Sequence, residues 1–258
     1  MKFGCCLGID QAKIVHDARF DFIECTVVSL MPEKSDREFA EVLKKFQDSP
    51  LAVEACNVFL PGDMKIVGDT VDHDRIKHYV EIALQRVHQI GADTIVFGSG
   101  GARSFPDGFS CERAEEQILQ FLSLVADNAE PLGITIVIEP LNKKESNMIN
   151  SVIEAEELAK KINRESIQIL ADFYHMDEEN EPLENIVIAK EFIKHIHIAD
   201  TGRFSPGTGH YPYDRFVDCL QRANYNQRIS IECQWNDLHK ELVRSREFLK
   251  EIFETKKV

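Results

Sequence analysis

The chain has 258 residues, 43% hydrophobic and 29% charged, an ordinary globular composition that argues against long disorder. Thirty Lys and Arg stand against 44 Asp and Glu, a net charge of −14, which argues against nucleic acid or an anionic membrane as the main partner. No apolar run reaches the ~18 residues that a membrane span needs.

Short β-branched runs alternate with longer segments of helical spacing. Strand one is expected at Phe3–Gly8, with a short helix near Asp10–Ala18. Strand two spans Asp21–Thr26, with a helix near Asp36–Gln47. Strand three spans Leu51–Asn57, followed by a loop over Val58–Thr70 and a helix over Asp72–Ile90. Strand four is Thr94–Gly98; its glycine-rich loop, Ser99–Phe109, leads to a helix over Cys111–Asn128.

Strand five is Ile134–Glu139, with a helix near Ser151–Lys161. Strand six is Ile167–Asp172, with a helix near Leu183–Ile193. Strand seven is His195–Ala199, with a helix near Tyr213–Ala223. Strand eight is Ile229–Cys233, and a helix near Leu238–Phe253 closes the series. Eight strand–helix units in a chain of this length predict a (β/α)₈ TIM barrel, an α/β fold, as one domain over residues 1–258. An open doubly wound sheet is the competitor. Gly8-Ile9-Asp10-Gln11 lacks the phosphate-turn glycines that such a sheet often carries after its first strand.

The seven cysteines are Cys5, Cys6, Cys25, Cys56, Cys111, Cys219 and Cys233. Their number is odd and no Cys-x-x-Cys pair occurs. Met1-Lys2-Phe3 leads straight into a strand rather than a signal peptide, so thiols in a cytoplasmic setting are expected. Most cysteines read as core.

The active site of such a barrel lies at the C-terminal ends of its strands. Four successive strands end in metal-competent residues: Glu139, Asp172, His197 and Glu232. A carboxylate that ends an apolar strand is costly to desolvate unless it is paired, hydrogen-bonded or metal-bound. Any one alone could be a salt bridge or a helix cap; four on neighbouring strands can converge. Three carboxylates and one imidazole suit one divalent ion, Mn²⁺ first, with Mg²⁺, Co²⁺ or Zn²⁺ as alternatives. His195 shares the parity of His197 and reads as a packed or hydrogen-bonded barrel histidine.

Glu145, His175 and Arg203 fall on loops above the same mouth, as contacts to substrate hydroxyls or a carbonyl or as solvated loop residues. Glu24 and Glu54, on strands two and three, are candidates for a structural ion-pair layer. The loop around Arg103 could cradle a phosphate, although a flexible rim is the plainer reading. Trp235 could stack on a substrate ring or plug the rim.

The segments Ile138-Glu139-Pro140-Leu141-Asn142, Asp172-Phe173-Tyr174-His175-Met176, His195-Ile196-His197-Ile198-Ala199-Asp200 and Ile231-Glu232 resemble the xylose-isomerase-like sugar isomerases and epimerases. At the site the chain is most similar to the D-tagatose and D-psicose 3-epimerases. That resemblance implies metal ligands Glu139, Asp172, His197 and Glu232, with Glu139 and Glu232 also carrying protons through a metal-stabilised enediolate. It implies substrate contacts at Glu145, His175 and Arg203, and a small sugar or hydroxy ketone as the partner. Hydroxypyruvate isomerases are similar in Ile198-Ala199-Asp200 and Pro206-Gly207-Thr208-Gly209; inosose isomerases and related dehydratases are further alternatives. A barrel nuclease is disfavoured by the charge of −14, and a homo-oligomer is compatible with the pattern.

Overall fold

In the computed structural model, residues 1–254 are described. Eight parallel strands close into a barrel in sequence order. They are β1 (Lys2–Cys6), β2 (Phe22–Thr26), β3 (Val53–Asn57), β4 (Thr94–Phe97), β5 (Thr135–Ile138), β6 (Ile167–Asp172), β7 (Ile193–Ile198) and β8 (Arg228–Ile231). The helices between them are α1 (Ala12–Asp17), α2 (Asp36–Gln47), α3 (His73–Gln89), α4 (Gly100–Arg103), α5 (Cys111–Ala129), α6 (Val152–Ile162), α7 (Phe173–Glu178), α8 (Glu184–Ile188), α9 (Tyr213–Arg222) and α10 (Leu238–Glu254). The expected TIM barrel is therefore the fold.

Side chains local in sequence start the helices. Ser35 accepts the Glu38 main-chain N–H, and Glu38 returns the bond to Ser35, a reciprocal cap that opens α2. Asp72, Ser110 and Ser151 each accept one main-chain N–H at the starts of α3, α5 and α6. Each long helix then buries one stripe against the strands, as Ala114, Ile118, Phe121, Leu122 and Val125 do on α5.

The structure departs from expectation between β6 and β7. The helix expected near Leu183–Ile193 is short and ends at Ile188, because Ile193 pairs with Ile169 and begins β7. An additional helix, α7, starts immediately after β6. The Asp172 carboxylate accepts the main-chain N–H groups of Tyr174 and His175 and so caps it.

Most core side chains lie between the strands and the helices. A second, smaller cluster of Val96, Val137 and Leu170 fills the barrel interior. Phe22 occupies the space beside β1; a Cβ at Gly4 would overlap its ring, which explains the glycine there. At the N-terminal end Lys2 and Arg228 pair with Glu54, and Arg228 also reaches Asp93. Interior polarity thus rises at both ends of the barrel, and the chemistry collects at the other one. Among the described residues no helix is long and apolar enough to cross a membrane. All seven cysteines are free thiols.

Candidate active site

The C-terminal mouth brings Glu139, Asp172, His197 and Glu232 together: one donor atom from each lies within 4.8 Å of the others. His197 stands beside Asp172 in register across β6 and β7. Its Nδ1 is 3.1 Å from Glu139 Oε1, 3.5 Å from Glu232 Oε2 and 3.9 Å from Asp172 Oδ2.

Each side chain is held by its neighbours. Asp172 Oδ1 accepts the N–H groups of Tyr174 at 2.7 Å and His175 at 3.2 Å, which leaves Oδ2 to the mouth. Glu139 follows β5 and lies against Gly98, where any Cβ would collide with Oε2. Glu232 follows β8; its Oε1 accepts Asn57 Nδ2–H at 2.9 Å and its Oε2 accepts Arg203 at 2.8 Å.

Below this layer lies the fully buried Glu24. His197 Nε2 donates to its Oε1 at 3.0 Å, while His195 Nε2 at 2.8 Å and Ser230 Oγ at 2.5 Å donate to Oε2. The His197 ring is thereby oriented with Nδ1 toward the three carboxylates. A ring nitrogen so aimed, backed by a carboxylate on the other nitrogen, is the arrangement of a metal-binding imidazole. The donor spread is close to the ~4.2 Å spanned across one ion at bond lengths of about 2.1 Å. The donor chemistry therefore fits one hard or borderline divalent cation.

The electrostatics lead the same way. Burial alone would lower the His197 pKa, but Glu24, Cys6 and Glu232 together raise it well above the ordinary imidazole value. Burial raises Glu139, with Glu232 and Asp172 adding to it against the hydrogen bond from His197. Burial also pushes Glu232 up, yet the His197 charge and hydrogen bond, with Arg203, bring it down to about 2. Two chemically identical carboxyls are thus driven apart in proton affinity.

Arg203 joins the rim to this centre. It donates to Glu145 at 2.9 Å and Glu232 at 2.8 Å, and lies 4.9 Å from the centre of the Tyr174 ring. Its own carbonyl accepts Gln234 N–H at 2.7 Å. Its loop closes on buried Asp200, whose carboxylate accepts the N–H groups of Thr201, Gly207 and Tyr211. His175 is buried, with Nδ1 against Asn142. Glu145, His175 and Arg203 thus form a linked set beside the four central residues.

Other sequence candidates are placed elsewhere. His195 is the hydrogen-bonded barrel histidine on Glu24. Glu54 joins the ion pairs at the opposite end. Arg103 is no phosphate ligand: it is fully buried, donates to the carbonyls of Phe97 and Ile149, and burial lowers it to about 10. Trp235 is half-buried against the core. A cavity of about 1010 Å³ lies among α1, α9 and α10 and is lined by none of the site residues.

Sequence reasoning gave no role to Asn57, Gly98, Asn142 or Ser230. Asn57 ends a strand at the mouth and was open to the same rule that picked out Asp172. The other three contribute through a missing Cβ, a turn or a hidden hydroxyl, and no spacing signals these.

A closed (β/α)₈ barrel with a buried carboxylate–imidazole cluster at its C-terminal mouth has the architecture of a barrel enzyme with a candidate metal site there. Residues 12–252 match the family described as xylose isomerase-like TIM barrel, and the chain belongs to that family. It is 25% identical over 175 residues to a 3-dehydro-D-guloside 4-epimerase of Escherichia coli, covering 64% of this chain and 67% of that one. It is 33% identical over 109 residues to a ketose 3-epimerase of Arthrobacter globiformis, covering 42% of this chain but only 38% of the relative. It is 25% identical over 221 residues to a D-psicose 3-epimerase of Agrobacterium fabrum, covering 83% and 74%. Among solved structures, the D-psicose 3-epimerase with D-tagatose from Clostridium cellulolyticum superposes with a TM-score of 0.84 at 18% identity, covering 98% of this chain and 99% of that one.

Proposed function

We propose that the chain is a divalent-metal-dependent carbohydrate epimerase or isomerase, acting on a ketose at the carbon next to its carbonyl, with 3-epimerisation as the reaction. The observation that carries this is the meeting of Glu139, Asp172, His197 and Glu232 donor atoms within 4.8 Å at the mouth. These four residues would hold the ion, with Mn²⁺ as the first choice. When bound, a divalent cation supplies Lewis-acid stabilisation of charge that develops beside a carbonyl.

The remaining work falls to the chain's own side chains. Glu139 Oε1 and Glu232 Oε2 lie 3.1 and 3.5 Å from the same atom, His197 Nδ1. One takes the proton from the carbon and the other returns one to the opposite face, which inverts the centre. Positioned acid–base groups of this kind contribute roughly 10²–10⁴-fold. Arg203, tied to Glu145 and Glu232, holds a substrate oxygen and orients the Glu232 carboxylate. His175 donates to a second oxygen. Asn57 on Glu232 Oε1 and Arg203 on Oε2 restrain rotation of that carboxylate and leave each oxygen a second lone pair.

The similarity to the Escherichia coli 4-epimerase favours a second substrate class, a sugar with its keto group at C3 and inversion at C4. The proton transfer would be the same and only the carbonyl position would differ. Aldose–ketose isomerisation differs again only in where the proton returns.

Incubation of Mn²⁺-loaded protein with D-psicose, D-tagatose or a 3-keto-glycoside in D₂O tests this reading. Deuterium is expected at the inverted carbon: C3 of the ketose, or C4 of the glycoside. Deuterium at C1 or C2 would make the enzyme an isomerase. No exchange into any ketose, keto-inositol or hydroxypyruvate would remove the proposal.

A further inference from the structure

Asn142 lies 1% exposed at the turn after β5, between two of the proposed substrate contacts. Its main-chain N–H donates to His175 Nδ1 at 3.1 Å, and its side-chain amide nitrogen is 2.9 Å from the same atom. That amide also donates to Glu145 Oε1 at 3.1 Å. The amide oxygen accepts Lys144 N–H at 3.1 Å, so the side chain is oriented with its oxygen to Lys144 and its NH₂ to His175 and Glu145.

A main-chain N–H can only donate. His175 Nδ1 therefore accepts, and a neutral ring must carry its hydrogen on Nε2. His175 is 3% exposed, and its Nε2 has no partner among the described residues. A buried N–H without an acceptor costs roughly 1–3 kcal/mol, a cost that ligand binding can recover. Meanwhile His175 N–H bonds to Asp172 Oδ1, so the residue is fixed in place at its backbone as well.

We infer that Asn142 is a positioning residue that commits the His175 ring to one tautomer and couples it to Glu145, reserving the Nε2–H for an oxygen of the bound sugar. The inference rests on the proposed sugar chemistry for its ligand, but not for the tautomer. Losing the Asn142 amide frees the ring to tilt and unties Glu145, and with it the Glu145–Arg203 pair. Binding of the sugar suffers more than the proton transfer, because Asn142 contacts neither Glu139 nor Glu232 and Arg203 keeps its own bond to Glu232.

Two measurements test it. Long-range proton–nitrogen spectra of ring-labelled protein at neutral pH, with the His175 signal assigned by H175Q, are expected to show a single Nε2–H tautomer. A Nδ1–H ring, or an averaged pair, overturns the inference whatever the enzyme's activity. In kinetics, N142A and the isosteric N142D, which lacks the amide hydrogens, are both expected to raise KM for the ketose about tenfold, with kcat within about threefold. A wild-type KM in a folded N142A overturns the positioning role; folding is checked by an unchanged far-UV spectrum and cooperative melting. If N142D behaves as wild type while N142A does not, only packing matters and the coupling is refuted. Failure of every ketose to react, with the tautomer as expected, would count against the proposed function and leave the ring assignment standing.

Discussion

Replacing Glu24 with Gln separates the metal-binding reading from a merely structural one. The two carboxylate oxygens of Glu24 accept three hydrogens, from His197, His195 and Ser230. Burial works against its charge, but the two imidazoles outweigh that and hold it well below the usual carboxylate range. Glutamine keeps the shape but has one accepting oxygen. If that oxygen faces His197, its NH₂ meets His195 and Ser230; if it is turned round, the NH₂ donates to His197 Nε2 and moves the ring hydrogen to Nδ1. The second arrangement blocks Nδ1 as a ligand outright. The first replaces a charge-assisted bond by a neutral one of about half its strength. Loss of such a supporting group costs about 10–100-fold in metal affinity, or ~1.4–2.7 kcal/mol. Stability should fall by a further ~1–3 kcal/mol from the weakened buried network. Titration of metal-free E24Q and wild type with Mn²⁺ by calorimetry reads the first number, and denaturant melts read the second. If folded E24Q binds Mn²⁺ with unchanged affinity, then Glu24 does not orient a ligand, and the argument that His197 uses Nδ1 fails with it.

Gly98→Ala should leave the barrel folded while displacing Glu139, since the added methyl overlaps its carboxylate; a cost of about 1–3 kcal/mol in stability and at least tenfold in Mn²⁺ affinity is expected, and G98A with wild-type affinity would contradict the placement. Binding of the ion requires His197 Nδ1 and Glu139 without protons, and both are raised in the cation-free protein. Affinity should therefore rise with pH, with protons released on binding, as measured by calorimetry in buffers of different ionisation enthalpy; pH-independent binding would refute this. Glu232 has the opposite sign. Its pKa falls from the ordinary 4.5 to about 2, so its stabilising contribution is present above the unfolded value and is lost as pH drops between these two. E232Q should flatten that part of the acid-unfolding curve, and an unchanged curve would show that other groups govern it.

The fold was legible because eight alternations of apolar strand and amphipathic helix have few other solutions, and the four central residues because each ends an apolar strand with a group that apolar surroundings do not tolerate. The reach of that rule is set by its physics: it detects desolvation of a charge along a strand. Asp172 satisfies it, and the same residue also caps α7, so its second task is invisible to a rule that asks only where the charge lies. Glu24 was placed in an ion-pair layer, as its strand position suggests. Which cation it would meet depended on closure of the barrel, since His195 and His197 lie 171 and 173 residues away in sequence. Arg103 illustrates the converse. A glycine-rich loop with an arginine has the composition of an anion cradle, but composition says nothing of where the guanidinium goes. Here the loop turns into α4, and Gly100 packs where a side chain would strike the Glu145 backbone, so Arg103 is drawn inward onto two carbonyls. Asn142 marks the same boundary from the other direction: its effect is exerted through hydrogen-bond direction, a property of three-dimensional placement that residue type and spacing do not encode.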